Sequence, residues 1–412
     1  MNLEAAVKDL DLYHVAIVGG LGHVGLPLGI VFASKGLKVC LYDLNKSAAE
    51  KVGRGEMPFV EYGAEPLLNE VLQKGLLKIS DDVSSISRAR YVIIAVGTPV
   101  DEYLNPKTRV MLDLFEKLHP YFSPEQTIII RSTVCPNTCK QIYSLLNNLS
   151  EKQGKKATWK LAYCPERIIQ GYSVKELGIL PQIVSAFTEE TQGSASRLFE
   201  IVSPKIIKTA VTEAELVKLF CNAYRYIVFA TTNQFHMISH KLGVDYNKVR
   251  AAMVEGYGRA GDLPTAGFTA GPCLLKDTMQ LAAFDSNQFL LGHSAMMINE
   301  GLPNFVIDDL RKRHDLSKKT IGILGMAFKA EIDDIRDSLA FKIAKILKFH
   351  GAKVLCSDEY AKIPNLVSKE EILKSCDIII IGVPHSAYKG LVVPPNAEVV
   401  DLWGITTLPN HT

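Results

Sequence analysis

One stretch near the start constrains this chain more than any other. An apolar run at residues 15–18 leads into Gly19-Gly20-Leu21-Gly22-His23-Val24-Gly25, a helical pattern to Lys35, and a second apolar run at 38–42 that ends on Asp43. Strand, glycine turn, helix and strand in that order predict a crossover unit of a parallel sheet. Gly20, Gly22 and Gly25 have the spacing GxGxxG, in which the glycines permit a tight turn, a close approach of backbone to a pyrophosphate, and close packing of helix on strand. His23 and Val24 lie between them, where the helix amino terminus offers free amides to negative charge. Asp43 is placed to accept hydrogen bonds from an adenosine ribose and would repel a ribose phosphate, which predicts NAD and not NADP. Gly19 is one glycine more than the pattern requires.

The same alternation continues. Further strands are predicted at 91–96, 127–131, 160–163 and 182–185, and a second alternating region at 320–324, 353–356, 377–381 and 398–401. Between them, Thr212 followed by Glu215 reads as a capping box opening a helix over 213–242, closed by Gly243. Such a helix is on the order of 45 Å long and apolar nearly all round, which suits a spine buried on several sides, including against a second copy. The basic stretch 311–319 reads as a solvated linker. The predicted fold is α/β: two Rossmann-like parallel-sheet domains joined by a long central helix and a helical middle domain. The boundaries fall at 1–210 for the NAD-binding domain, 211–312 for the helical middle, and 313–412 for the second Rossmann-like domain.

Composition narrows the classes. Of 412 residues 47% are hydrophobic, enough for several cores, and the net charge of +2 argues against a nucleic-acid or anionic-membrane surface. The opening at residues 1–12 is charged and lacks the apolar core of a signal peptide. Apolar runs are of strand length, far short of a bilayer span. The expectation is a soluble cytoplasmic protein. Eight cysteines without a CxxC pair suggest neither a zinc site nor a disulfide scaffold, so no metal is expected.

Among those cysteines Cys273 stands apart, in Gly267-Phe268-Thr269-Ala270-Gly271-Pro272-Cys273-Leu274-Leu275-Lys276-Asp277. An irregular approach followed by a helix start near a lysine gives a thiol reason to ionise. By spacing alone a buried structural cysteine fits equally well. Lys218 and Asn222, four apart, share a helix face from which an ammonium and an amide can meet an oxyanion; a solvated lysine is the commoner outcome.

These segments together resemble the nucleotide-sugar 6-dehydrogenase family, the UDP-glucose/GDP-mannose dehydrogenase family. GLGHVGLP at 20–27, GTP at 97–99, STV at 132–134, CPER at 164–167, ELVKLFCNAYR at 215–225, GFTAGPCLLKD at 267–277 and GMAFKAEIDDIRDS at 325–338 carry the likeness. The resemblance implies an oxidation of a sugar C6 alcohol to a carboxylate, with two NAD per sugar and a thioester on the enzyme, by a homodimer or larger homo-oligomer in polysaccharide biosynthesis. It implies Cys273 as nucleophile, Lys218 and Asn222 as oxyanion contacts, Glu166 as the group assisting water, Thr133 beside the water or nicotinamide, and Asp277 orienting the thiol and its surroundings. Thr98 and Thr133 join the glycine turn and Asp43 as NAD contacts. Glu166, Arg167, Lys218, Asn222, Arg259, Gly271, Lys329 and Arg336 are the implied contacts to the nucleotide sugar, Arg336 from the neighbouring subunit. For Arg336 a salt bridge to Asp333, Asp334 or Asp337 fits as well.

Two departures bear on the sugar. Gln170 occupies the place where UDP-glucose-specific relatives carry a second acid, and Leu275 replaces a common proline. CPERIIQG, KELGILPQIV at 175–184 and the loop 259–271 resemble the branch acting on UDP-N-acetylhexosamines, UDP-N-acetylmannosamine in particular. The alternatives are UDP-glucose, a two-electron hydroxyacid dehydrogenase, which would need no Cys273, and a non-catalytic NAD-sensing regulator.

Overall fold

The computed structural model describes residues 12–154 and 158–406. The charged opening segment, up to residue 11, lies outside the described residues. The chain divides into two compact units, Met1–Phe220 and Cys221–Thr412, with the division inside one long helix.

In the first unit eight described strands form one sheet: β1 (Tyr13–Val18), β2 (Val39–Tyr42), β3 (Leu77–Ser80), β4 (Ala89–Ile94), β5 (Thr127–Ile130), β6 (Lys160–Tyr163), β7 (Gln182–Ala186) and β8 (Ile206–Thr209). Their order is β3-β2-β1-β4-β5-β6-β7-β8, a doubly wound arrangement extended by two strands. Helices α1 (Gly25–Ser34), α2 (Lys46–Gly53), α3 (Ala64–Gln73), α4 (Thr108–Leu118), α5 (Thr138–Lys152), α6 (Ser173–Leu177) and α7 (Glu189–Phe199) complete it. Burial on both faces explains the continuous apolar strands. Val15 and Ile17 pack with Leu28, Phe32 and Leu68 of α1 and α3, while Ala16 and Val18 pack with Met111, Phe115 and Ile142 of α4 and α5. The sequence reading missed β3 and β8. Both lie at the sheet edges, where LKIS and IIKT are largely half-buried and the apolar signal is diluted. The sheet is parallel as expected except at one pair, where β7 runs antiparallel to β6.

The long helix α8 (Val211–Lys241) leads into the second unit, followed by α9 (Tyr246–Val254), α10 (Leu274–Phe284) and α11 (Leu290–Arg313). Strands β9 (Thr320–Leu324), β10 (Lys353–Ser357), β11 (Ile378–Ile381) and β12 (Glu398–Val400), with α12 (Leu339–Phe349) and α13 (Lys369–Ser375), form a smaller parallel sheet in the order β10-β9-β11-β12.

Two local expectations fail for visible reasons. The Thr212–Glu215 capping box does not form: Glu213 accepts the Ala210 N–H at 2.8 Å and caps α8 in its place. Glu215, fully buried, instead accepts the N–H groups of Asn137 (2.8 Å) and Cys139 (2.9 Å), satisfying the amino end of α5. The basic stretch is not a linker at its start. Arg311, Lys312 and Arg313 form the last turn of α11, where cations suit the helix dipole, and Arg313 bridges Asp309 (2.8 Å) and Glu398.

Candidate active site

In the first unit the functional candidates follow the carboxyl ends of adjacent strands, the edge where open α/β sheets bind ligands. The glycine turn follows β1, Thr98 follows β4, Thr133 follows β5 and Glu166 follows β6, with both threonines half-buried.

The glycines differ in what demands them. Gly19 has a φ of +77°, and a Cβ there would meet Ala95 O at 2.8 Å, so the extra glycine is required by the turn itself. A Cβ on Gly20 would meet the Leu41 Cβ at 2.7 Å, and one on Gly25 would run into Gly19 O. A Cβ on Gly22 would meet only Gly19 O, at 3.6 Å. The protein's own packing therefore leaves room at Gly22, where a pyrophosphate needs close approach. At the amino end of α1, Val24 supplies no side-chain cap to the first-turn amides. Asp43 accepts the N–H groups of Leu21 and Asn45, each at 3.0 Å, tying its carboxylate to the glycine turn. These residues fit NAD. Gln170, at the place of the missing acid, reaches His23 of this turn, its Nε2 lying 3.1 Å from Nδ1, and the His23 ring packs on Phe59 with centroids 3.9 Å apart.

Glu166 is buried, not an exposed loop carboxylate. Its Oε1 accepts the N–H groups of Arg167 (2.6 Å) and Ile168 (2.8 Å), and its Oε2 pairs with the guanidinium of Arg131. The sequence reading missed Arg131; its position next to STV after a strand was the available signal. Arg167 directs its own guanidinium to Pro181 O at 2.5 Å. Lys218 is only 9% exposed, an uncommon setting for a lysine.

In the second unit Cys273 occupies the N-cap of α10 and is the exposed one among the eight cysteines. Burial pushes the thiols of Cys40, Cys139, Cys356 and Cys376 up, that of Cys135 up to about 11 and that of Cys164 up to about 12. Those sites favour protonated, inert sulfur. One turn into α10, Asp277 is fully buried; its carboxylate accepts from the Asn222 amide at 2.6 Å and pairs with Lys276 at 2.9 Å. Asp277 thus orients Asn222 directly.

Arg336 forms a salt bridge with Asp334 at 2.6 Å. The Asp334 hydrogen bonds raise its guanidinium further above its ordinary range against the cost of burial, with smaller contributions in the same direction from Cys273 and Asp337. Gly271, with φ of +108°, donates to Asp337 O, and a Cβ there would meet the Phe328 ring at 2.5 Å. Lys329, half-buried, follows Phe328, whereas Arg259 is exposed and stacks over Tyr257 at 4.9 Å. A feature the sequence reading missed lies after β10. Asp358 accepts the Met326 and Ala327 N–H groups, as Asp43 does for Leu21, and the buried His385 lies 3.3 Å from it. Burial would raise the Asp358 carboxyl, but His385 and the amides bring it down to about 2.

Three family models match consecutive parts of the chain: the NAD binding domain of the UDP-glucose/GDP-mannose dehydrogenase family over residues 13–203, its central domain over 212–300, and its UDP binding domain over 322–407. The chain belongs to the UDP-glucose/GDP-mannose dehydrogenase family. It is an NAD-dependent UDP-sugar dehydrogenase. A UDP-N-acetyl-D-mannosamine dehydrogenase of Pyrococcus horikoshii is 30% identical over 387 residues, covering 90% of each chain. A solved structure of UDP-D-ManNAc dehydrogenase from that organism has a TM-score of 0.84 at 30% identity, covering 92% of this chain and 90% of that one. An NDP-N-acetyl-D-galactosaminuronic acid dehydrogenase of Ralstonia nicotianae is 25% identical, with 93% of each covered. No helix among the described residues of this family member is long and apolar enough to cross a membrane.

Proposed function

We propose that this dehydrogenase oxidises the C6 alcohol of a UDP-N-acetylhexosamine, UDP-N-acetylmannosamine first, to the uronic acid through a thioester on Cys273, in the cytoplasm, for a surface polysaccharide. The observation that carries the reading is an exposed thiol at a helix amino terminus, one turn before the Asp277 that holds Asn222. The names of the similar proteins support the N-acetylated sugar.

NAD supplies the hydride acceptor for both oxidations. The first removes a hydride and a proton from the alcohol, leaving an aldehyde, which holds no further hydride to give until a nucleophile adds. The Cys273 thiolate adds to that carbon, forming a C–S bond, and Lys218 with Asn222 stabilises the oxyanion. Loss of a second hydride from this oxyanion adduct leaves the thioester. Water, held by Glu166 with Thr133 nearby, attacks the acyl carbon; the C–S bond breaks, the thiolate returns to Cys273, and protons leave to solvent. Arg167, Arg259, Gly271, Lys329 and Arg336 are proposed on the nucleotide-sugar side. The Arg336 charge favours the thiolate as well.

The test is NADH formed per sugar with NAD and each of UDP-N-acetylmannosamine, UDP-N-acetylglucosamine, UDP-glucose and GDP-mannose. About two per sugar, with UDP-N-acetylmannosamine the best substrate, is expected from two successive hydride losses. A yield near one, or turnover confined to UDP-glucose, rejects the reading.

We also propose a homodimer along α8. Phe220, Tyr224, Phe235 and Ile238 are exposed at spacings that keep one helical face, with Ile227 between them half-buried and Leu242 exposed just past the end of the helix. The occupant proposed is the same face of a second copy. A Tyr224→Arg, Phe235→Arg variant is expected to be monomeric by light scattering where the parent is dimeric; an unchanged mass would place the contact elsewhere.

A further inference from the structure

Arg131 is a costly residue to bury. Its side chain is 0% exposed, and an apolar side chain would fill the space without a desolvation cost. What the arginine adds is its fork. Nη2 holds Glu166 Oε2, while Nη1 holds Cys164 O at 3.2 Å and Gln182 Oε1 at 2.9 Å, with the guanidinium 5.0 Å over the Phe199 ring. Gln182 in turn donates to Pro165 O at 3.2 Å. The backbone before Glu166 and the carboxylate are therefore fixed by one buried group.

A count of acceptor sites shows what this leaves. A carboxylate has about four lone-pair sites. Two on Oε1 are taken by the Arg167 and Ile168 amides, and one on Oε2 by Arg131. One site on Oε2 remains, on a side chain that is 10% exposed. We infer that Arg131 is the positioning residue that gives Glu166 a single outward acceptor site for the water that opens the thioester. It acts through Glu166 and touches neither sugar nor cofactor. The inference rests on the thioester reading.

The test uses the full-length enzyme, with NADH release followed from the first turnover and the covalent sugar adduct followed by intact mass. Glu166→Gln is expected to keep the initial NADH burst, slow the steady state about 100-fold, and accumulate the adduct. Arg131→Lys, which keeps the charge but loses the fork, is expected to show the same signature at on the order of tenfold. Arg131→Met with Glu166→Gln is expected to be no slower than Glu166→Gln alone. Because the double variant removes both charges, it is expected to fold even where Arg131→Met alone, which leaves Glu166 unpaired, is expected to be destabilised. Equal slowing of burst and steady state in Arg131→Lys, or multiplied effects in the double variant, would overturn the inference. If Glu166→Gln itself accumulates no adduct, the role of Glu166 is wrong irrespective of Arg131.

Discussion

Cys273→Ser is expected to stop acid formation, lowering steady-state turnover by at least about a thousandfold. The sulfur at the N-cap of α10 is exposed and at the positive end of the helix dipole, so the thiolate has both access and electrostatic support. A serine hydroxyl in the same place ionises far less readily, and an oxygen ester on it would hydrolyse more slowly because an alkoxide is a poorer leaving group than a thiolate. Folding should hardly change, because Cys273 makes no side-chain cap to α10; thermal unfolding is expected to move by no more than about 0.5 kcal/mol equivalent. The first oxidation does not need the sulfur, so a stoichiometric single NADH per active site is expected in the variant. Product analysis by mass and NADH counting check this. A variant that still makes acid at a tenth of the parental rate would exclude the covalent route, and full two-electron turnover would point to a hydroxyacid-type dehydrogenase.

The sequence was most legible where a local rule fixes a backbone. The glycine turn and Asp43 predict a strand, a turn and a helix, and the structure has β1, α1 and β2 there, with Asp43 tied to Leu21. It was least legible where a residue serves a distant partner. Glu215 matches a local capping pattern, yet its carboxylate is used 76 and 78 residues away at the amino end of α5. Arg131 belongs to no motif, and its meaning appears only when Glu166, Gln182 and Phe199 converge on it from different elements. Edge strands β3 and β8 and the antiparallel direction of β7 were hidden for the complementary reason, since strand direction and edge position are decided by tertiary packing.

Gly22→Ala and Gly25→Ala are expected to fail in different ways, which separates a glycine kept for the ligand from one kept for the fold. At Gly22 an added Cβ would find Gly19 O at 3.6 Å, an ordinary contact, and the residue is not left-handed. The variant should fold with an unchanged melting temperature. The new methyl would occupy the space where a pyrophosphate approaches, and the dissociation constant for NAD is expected to rise by on the order of tenfold or more, equivalent to about 1.4 kcal/mol or more. At Gly25 the Cβ would collide with Gly19 O and lie 2.9 Å from Gly20 Cα, both backbone atoms that cannot rotate away. Relief requires moving α1 away from β1, across a core that includes Ile17, Leu28 and Phe32. Overpacking of this kind costs about 3 kcal/mol. The Gly25→Ala protein is therefore expected to lose both melting temperature and NAD binding. Calorimetric titration with NAD alongside thermal unfolding reads the two quantities separately. A Gly22→Ala enzyme that binds NAD like the parent would remove the assignment of this turn to the pyrophosphate, whatever Gly25→Ala does.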